Sequence, residues 1–220
     1  ESLLKFKKAA KWGVSATPTG RFDGKDIVSE GIFGPIVVNK GYQDGVKSGA
    51  LVPIKVYWIN VPEPTIGLLK YGKYKTRDGK LKAGLYNNIR SNRLIADIMN
   101  CMDSNLQTLC MVQFIEHMSN IHRLCKEDVK FVHAETSNDK LLKYPTLTAI
   151  SPKDRKEIYA KVRDRDIMKM ISTHVYKQGV DFPQLDVVLC AGGGGSDIVS
   201  KQVPGRASRK ADGKDSAIVI

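Results

Sequence analysis

The sequence predicts an α/β protein built on a parallel sheet with helices on both faces. Three observations predict it. Short apolar runs of strand length recur at 106–114, 129–133, 167–173, 185–191 and 217–220. Segments with helical spacing stand between several of them. The 220 residues are enough to bury a real core. Strands and helices alternating at this length favour a parallel sheet covered on both sides. On such sheets ligands sit beyond the carboxyl ends of the strands, so the segments just after those ends are where chemistry is to be sought.

The elements follow in order. Residues 12–17 read as a short strand emptying into a loop at Pro18 and Gly20, and 33–38 as another extended piece. Gly41 to Gly49 has room for a turn or two of amphipathic helix. Along 51–61 the apolar residues alternate, with Val52, Ile54, Val56 and Trp58 on one face, which marks the first strand of the main domain. Residues 65–80 carry Gly and Lys and form an excursion. Leu85, Ile89, Leu94, Ile95, Ile98 and Met102 then follow helical spacing. Leu106 to Phe114 is a buried strand, Glu116 to Cys125 a helix, and Val129 to His133 a strand. Pro152 opens a helix that ends near Val162. Ile167 to Thr173 and Leu185 to Ala191 are strands, Ser196 to Arg209 is mostly helix, and Ala217 begins a last strand.

Composition is that of an ordinary globular chain, 42% apolar and 26% charged. No stretch reaches the ~18 apolar residues of a membrane span, and the first thirty residues do not read as a signal peptide. A formal charge of +12 fits a polyanionic partner. The basic residues cluster at Lys5, Lys7, Lys8 and Lys11, and again at Lys70, Lys73, Lys75, Arg77, Lys80 and Lys82, interleaved with Tyr71 and Tyr74. Such strips suit a phosphate backbone or a solvated loop equally. Cys101, Cys110, Cys125 and Cys190 show no paired close spacing and read as reduced, buried thiols.

The C-terminal third holds the chemistry. Thr173 ends a strand, where a hydroxyl can donate to a phosphate; Gly179 permits a tight turn and Asp181 places a carboxylate beside it. In isolation these residues also fit a plain strand-turn-strand connection. Four glycines, 192–195, follow the next strand, and Ser196 or Asp197 can cap a helix. Gln202, Arg206 and Arg209 stand four and three residues apart, so an amide and two guanidiniums can point the same way. Arginine forks onto phosphate oxygens, and such a trio suits a triphosphate. Pro204 and Gly205 argue against a segment selected merely for helicity.

At these residues the chain resembles superfamily-two helicases. ISTHVYKQGVDFPQLDVVL and QVPGRASR look like their motifs five and six, the latter a Q-x-x-G-R-x-x-R matched by Gln202, Gly205, Arg206 and Arg209. SATPTGR resembles motif three, LCMVQFIEH motif four, and VHAETSN the stretch after it. The ordered set runs from residue 15 to 209, and FGPIVVNKGYQDGVKSGALVPIKV is most similar to phage, XPB-like and restriction-subunit-like DNA enzymes. His174 and Gln178 stand where the DEAD-box branch carries Asp and Arg, which argues against an RNA enzyme of that branch.

The resemblance implies a RecA-like helicase C-terminal domain. Residues 1–48 would be the C-terminal edge of a first RecA-like domain with its linker, and 49–220 the second. It implies Arg209 as arginine finger, Arg206 beside it on the γ-phosphate, and Gln202 on that phosphate or the attacking water. Gly179 and Asp181 would contact ATP, Thr173 a nucleic-acid phosphate, and Ser15 and Thr17 would couple hydrolysis to domain movement. It implies single-stranded or branched DNA as partner in preference to RNA, ATP as cofactor with Mg held by the first domain, and a cytoplasmic bacterial or phage-infected setting. The branch leaves a restriction-type translocase open beside a helicase, and a non-catalytic nucleic-acid-binding domain that keeps only motif remnants is a further alternative.

The expected P-loop is absent from these residues. The near match from Gly67 to Lys73 ends in Tyr74, which lacks the small hydroxyl that ligates magnesium, and it follows motif three instead of preceding it. The chain on its own is therefore expected to hydrolyse ATP poorly. No metal site is expected. His133-Ala-Glu135 has deaminase spacing but no P-C-x-x-C follows. His117 and His122, five apart on a helix, do not share a face.

Overall fold

The structure, a computed structural model, describes residues 10–15, 26–60, 76–126, 128–134, 138–173, 182–192 and 205–220. Six strands form one sheet: β1 (Ile54–Val56), β2 (Thr108–Met111), β3 (Val129–Val132), β4 (Lys169–Ser172), β5 (Val187–Cys190) and β6 (Ala217–Val219). Their order is β1-β6-β5-β2-β4-β3 and every pairing is parallel. The predicted α/β class, a parallel sheet with helices on both faces, is what forms.

Side chains on successive strand residues point to opposite faces, and the core divides accordingly. Leu109 and Met111 of β2, Met170 of β4, Val188 of β5, and Ala217 and Val219 of β6 belong to one cluster with Val52, Val162, Phe182 and Ala207. Cys110, Ile171, Val187 and Leu189 belong to the other, with Ala96, Met99, Met118 and Ile121. Helix α7 (Pro152–Arg163) covers the first face; α4 (Ile89–Cys101) and α5 (Ile115–His122) cover the second. Both sheet faces are thus dry, which is why β2 and β4 are buried along their whole length.

Local signals account for the helix ends. Ser151 and Asp154 close a capping box on α7, with Pro152 in its first turn. The Asn88 side chain caps α4 by accepting from the backbone of Arg90 and Ser91. Arg165, at φ 65°, turns the chain out of α7. Its guanidinium then donates to the carbonyl of Asn105 at 2.6 Å and pairs with Asp186 at 3.4 Å, tying together the segments that enter β2 and β5.

Helix α1 (Asp26–Phe33) and α2 (Tyr42–Lys47) precede the sheet and bury no residue. The Tyr42 hydroxyl is the link: it donates to the Val52 carbonyl at 3.0 Å and accepts from the Ile54 amide at 2.8 Å. Helix α6 (Asn138–Leu141) supplies Leu141 to the second core.

Several expectations fail. Residues 12–15 form no strand, and 16 and 17 lie outside the described residues. Phe33, expected to open an extended piece, ends α1 instead. The alternation along 51–61 yields only a three-residue strand, and Trp58, expected on one face with Val52, is 92% exposed while Val52 is buried. The strand's ladder partner β6 is itself only three residues long, and the bonding ends with the Tyr57 amide on the Val219 carbonyl at 2.8 Å. The helix expected from Leu85 is split: α3 (Arg77–Leu81) runs into a π-turn at Lys82–Tyr86, and α4 starts three residues later. Of the thiols, Cys110 is buried and Cys125 partly so, but Cys101 and Cys190 are exposed. Burial pushes the Cys125 thiol up to about 12.

Candidate functional site

The candidate residues fall in two places, which lie at opposite ends of the strands. The first is the crevice where the direction of winding reverses. From β2 the chain passes through α5 to β3 on one side; from β5 it proceeds to β6 on the other. The carboxyl ends of β2 and β5, adjacent in the sheet, therefore open a gap at the switch point, the usual ligand position of such sheets.

The π-turn sends Tyr86 into this gap. Its ring is 2% exposed, and its hydroxyl lies 2.9 Å from Gln113 Oε1, after β2, and 3.2 Å from the Gly192 carbonyl, after β5. One phenol thus fastens the two loops that border the crevice. They are close: a Cβ on Gly192 would come within 3.4 Å of the Gln113 amide nitrogen. The Asn120 amide holds the same corner from α5, donating to the Tyr86 carbonyl at 3.0 Å and to Asn87 Oδ1 at 3.1 Å. Phe114 meets the Tyr86 ring edge-on at 5.0 Å and remains 44% exposed. Lys82 pairs with Glu116 at 2.9 Å on the rim.

His117 is the anomaly of this corner. It is fully buried against Tyr86, with ring centroids 5.1 Å apart, and neither ring nitrogen has a hydrogen-bond partner among the described residues. Burial holds its pKa down at about 4, against 6.5 for the free side chain. The folded state thus refuses a proton that the unfolded chain accepts between those values. The stability this confers is whole above pH 6.5 and is lost as pH falls toward 4. The melting temperature is expected to drop over that interval, and His117→Leu to flatten the drop while leaving stability at pH 7 unchanged or higher. Thermal melts at pH 7, 5.5 and 4 check it; equal slopes for the two proteins would refute the assignment.

Thr173 is at the end of β4, on the far side of β2 from β5. It is 7% exposed, and its backbone continues the ladder by donating to the Val132 carbonyl at 3.1 Å.

The second place is the turn that carries the arginines. Residues 205–207 form one helical turn, after which Leu51 and Arg209 make an antiparallel bridge and the Val52 amide donates to the Ser208 carbonyl at 2.7 Å. Ala207, fully buried, anchors the turn in the first core. Lys214 ties down the segment between this turn and β6, donating to the carbonyls of Pro183 at 3.1 Å and Leu185 at 2.6 Å. All these contacts precede β1 and β5, so the turn runs past the amino ends of the strands. The arginine turn therefore does not stand at the carboxyl ends of the strands, where site residues are to be sought on such a sheet. Arg206 is 9% exposed and Arg209 is half-buried, and the Arg209 amide reaches the Arg206 carbonyl at 3.5 Å. Gly205 has open space where a Cβ would be.

Of the remaining expected site residues, Ser15 is exposed on a segment without regular structure. Thr17, Gly179, Asp181 and Gln202 lie outside the described residues, as do the glycines at 193–195 and the 67–74 segment. Tyr86, Gln113 and Phe114 do not stand out in the sequence as site residues, although 109–117 resembles a motif. The available signal is a Tyr and a Phe flanking strand β2, and it is faint. The two histidines of α5 are indeed divided: His122 packs on Phe131 and bonds to the Val129 carbonyl, away from His117 and Tyr86. His133 lies between the carbonyls of Ala134 and Thr148.

Comparison with known proteins places this geometry. The fragment of a putative HsdR subunit of a type I restriction enzyme from Vibrio vulnificus has the same fold, with a TM-score of 0.68 at 21% identity, over 99% of this chain and 40% of that one. T4 UvsW is similar with a TM-score of 0.52 at 20% identity, over 76% of this chain and 31% of that one. In sequence, 68 residues are 31% identical to the ATP-dependent DNA helicase MPH1 of Vanderwaltozyma polyspora, 31% of this chain and 7% of that protein. The chain thus spans less than half the length of each. The model of the "Helicase conserved C-terminal domain" matches residues 91–211, more than half of the chain and the span that carries Gln113, Phe114, Gly192 and the arginine turn, so the chain belongs to that family, as a C-terminal domain of the superfamily-two helicases.

Proposed function

We propose that the chain is the second motor domain of an ATP-dependent DNA helicase or translocase, with the Arg206–Arg209 turn facing a nucleotide held by a first RecA-like domain. The observation that supports this best is the turn itself. Two arginines three residues apart, inside the matched family span, are held by a buried Ala207 and by backbone bonding to Val52. A guanidinium forks onto phosphate oxygens and stabilises charge that develops in phosphoryl transfer. Arg209, the less buried of the two, is the finger; Arg206 supports it. Gln202 contacts the γ-phosphate or attacking water, and Gly179 and Asp181 approach the ribose or that water. Thr173 holds a DNA phosphate, and Ser15 and Thr17 transmit closure. The first domain supplies the P-loop and Mg. Residues 1–48 belong to that domain and its linker, and 49–220 form the second. The chain by itself is inactive, and the whole protein works in the cytoplasm.

Full-length protein that includes the first domain tests this. Single-stranded or branched DNA is expected to stimulate its ATP hydrolysis, and DNA affinity is expected to fall ~10³-fold between 50 and 200 mM salt as counterions are released. Hydrolysis indifferent to DNA, with binding insensitive to salt, would favour a non-catalytic role. Strand displacement, as against translocation without it, separates a helicase from a restriction-type motor.

A further inference from the structure

We infer that Phe114 is a base-stacking platform, on which one nucleobase of the bound strand lies as DNA crosses the carboxyl ends of β2 and β5. The inference rests on the translocase reading and adds a contact to the base, where that reading needs only contacts to the backbone. Phe114 is the residue immediately before α5, and its extended backbone turns the ring outward at the switch-point crevice. The ring is 44% exposed, yet it is not loosely held. Tyr86 backs it edge-on at 5.0 Å, and Tyr86 is in turn pinned by Gln113 and Gly192. A π-turn positions this phenol, and such turns recur at functional sites. An aromatic ring held rigidly with a face toward solvent loses little entropy when a base stacks on it. Every base has a π-face, so the contact carries little sequence preference, as a motor requires. Arg90, exposed a few residues after Tyr86 in the chain, supplies positive charge for a flanking phosphate. Among the described residues, Trp58, the most exposed aromatic, has no ring backing it.

The test compares a single-stranded oligonucleotide with one of the same length and charge made wholly of abasic sites, bound to the full-length protein with its first domain. Wild type is expected to bind the base-containing strand about tenfold more tightly, and to quench 2-aminopurine placed in that strand. Phe114→Leu keeps apolar packing on Tyr86 but has no π-face; it is expected to abolish both the preference and the quench while leaving salt dependence intact. Phe114→Trp is expected to keep both, which guards against a fold defect in the leucine variant. Equal binding of the two strands by wild type, or an undiminished preference in Phe114→Leu, would overturn the inference and leave the translocase reading standing. Weakening of both strands alike in Phe114→Leu would overturn it too, since the ring would then only shape the groove. Absence of salt-dependent binding to either strand would defeat the translocase reading and this inference together.

Discussion

Arg209→Ala, introduced into the full-length protein, is expected to lower DNA-stimulated ATP hydrolysis by ~10³-fold or more, the scale on which a trans-acting guanidinium contributes to phosphoryl transfer. The loss should fall on kcat, because the charge that the guanidinium meets develops only on the way to the transition state. Binding of a non-hydrolysable ATP analogue should change far less. Arg209→Lys should recover little, since an ammonium is a point charge without the planar fork. The substitution should also leave the fold intact. The turn is pinned by Ala207 and by the backbone bonds of residues 208 and 209 to Val52 and Leu51, none of which uses the Arg209 side chain. Steady-state kinetics beside a thermal melt decide the matter. Unchanged kcat in a folded variant would remove Arg209 from the finger role; Arg206, at 9% exposure, would then be the next to test.

Ile171→Ala is expected to destabilise the domain by about 2–5 kcal/mol, the range for large-to-small changes in a rigid core. Ile171 is fully buried on β4, which hydrogen-bonds to β2 on one side and β3 on the other. The ladders fix the backbone on both flanks, so the sheet cannot move in to fill the cavity. The side chain belongs to the core that also holds Met99, Met118 and Ile121, so the helices over that face lose contacts together. Ile171→Val should cost about 0.5–1.5 kcal/mol. Urea unfolding with an unchanged m-value would show that the loss lies in the folded state. A cost below about 1 kcal/mol for the alanine variant would mean that this face is looser than its burial indicates.

The sheet was legible because its cause is local. β2, β4 and β5 are short, nearly continuous apolar runs, as strands buried on two faces must be. The Ser151-Pro152 start of α7 announced itself through its own capping chemistry. Where burial on one face was inferred from alternation, at 51–61, the reading failed. Alternation is also compatible with an edge segment whose neighbour is too short to pair with it, and only the sheet reveals the neighbour. The helix expected from Leu85 starts late for a related reason: the wider i→i+5 bonding of the π-turn that ends at Tyr86 leaves no mark in a short apolar pattern.

The arginine pair at 206 and 209 is visible as a motif, because its residues are a turn apart in the chain. The crevice was not. Tyr86 and Gly192 meet across 106 positions, and they meet because β5 inserts beside β2 in the sheet order. By itself, then, the sequence determined the fold class, the strands, the two buried faces and the arginine motif, all of which depend on residues within a few positions of one another. The tertiary structure alone decided that the arginine turn runs past the amino ends of the strands, that Trp58 is exposed, and that Tyr86, Phe114 and His117 share a corner at the switch point. Those outcomes depend on which distant strands become neighbours, and that is settled by the free energy of the whole packed sheet.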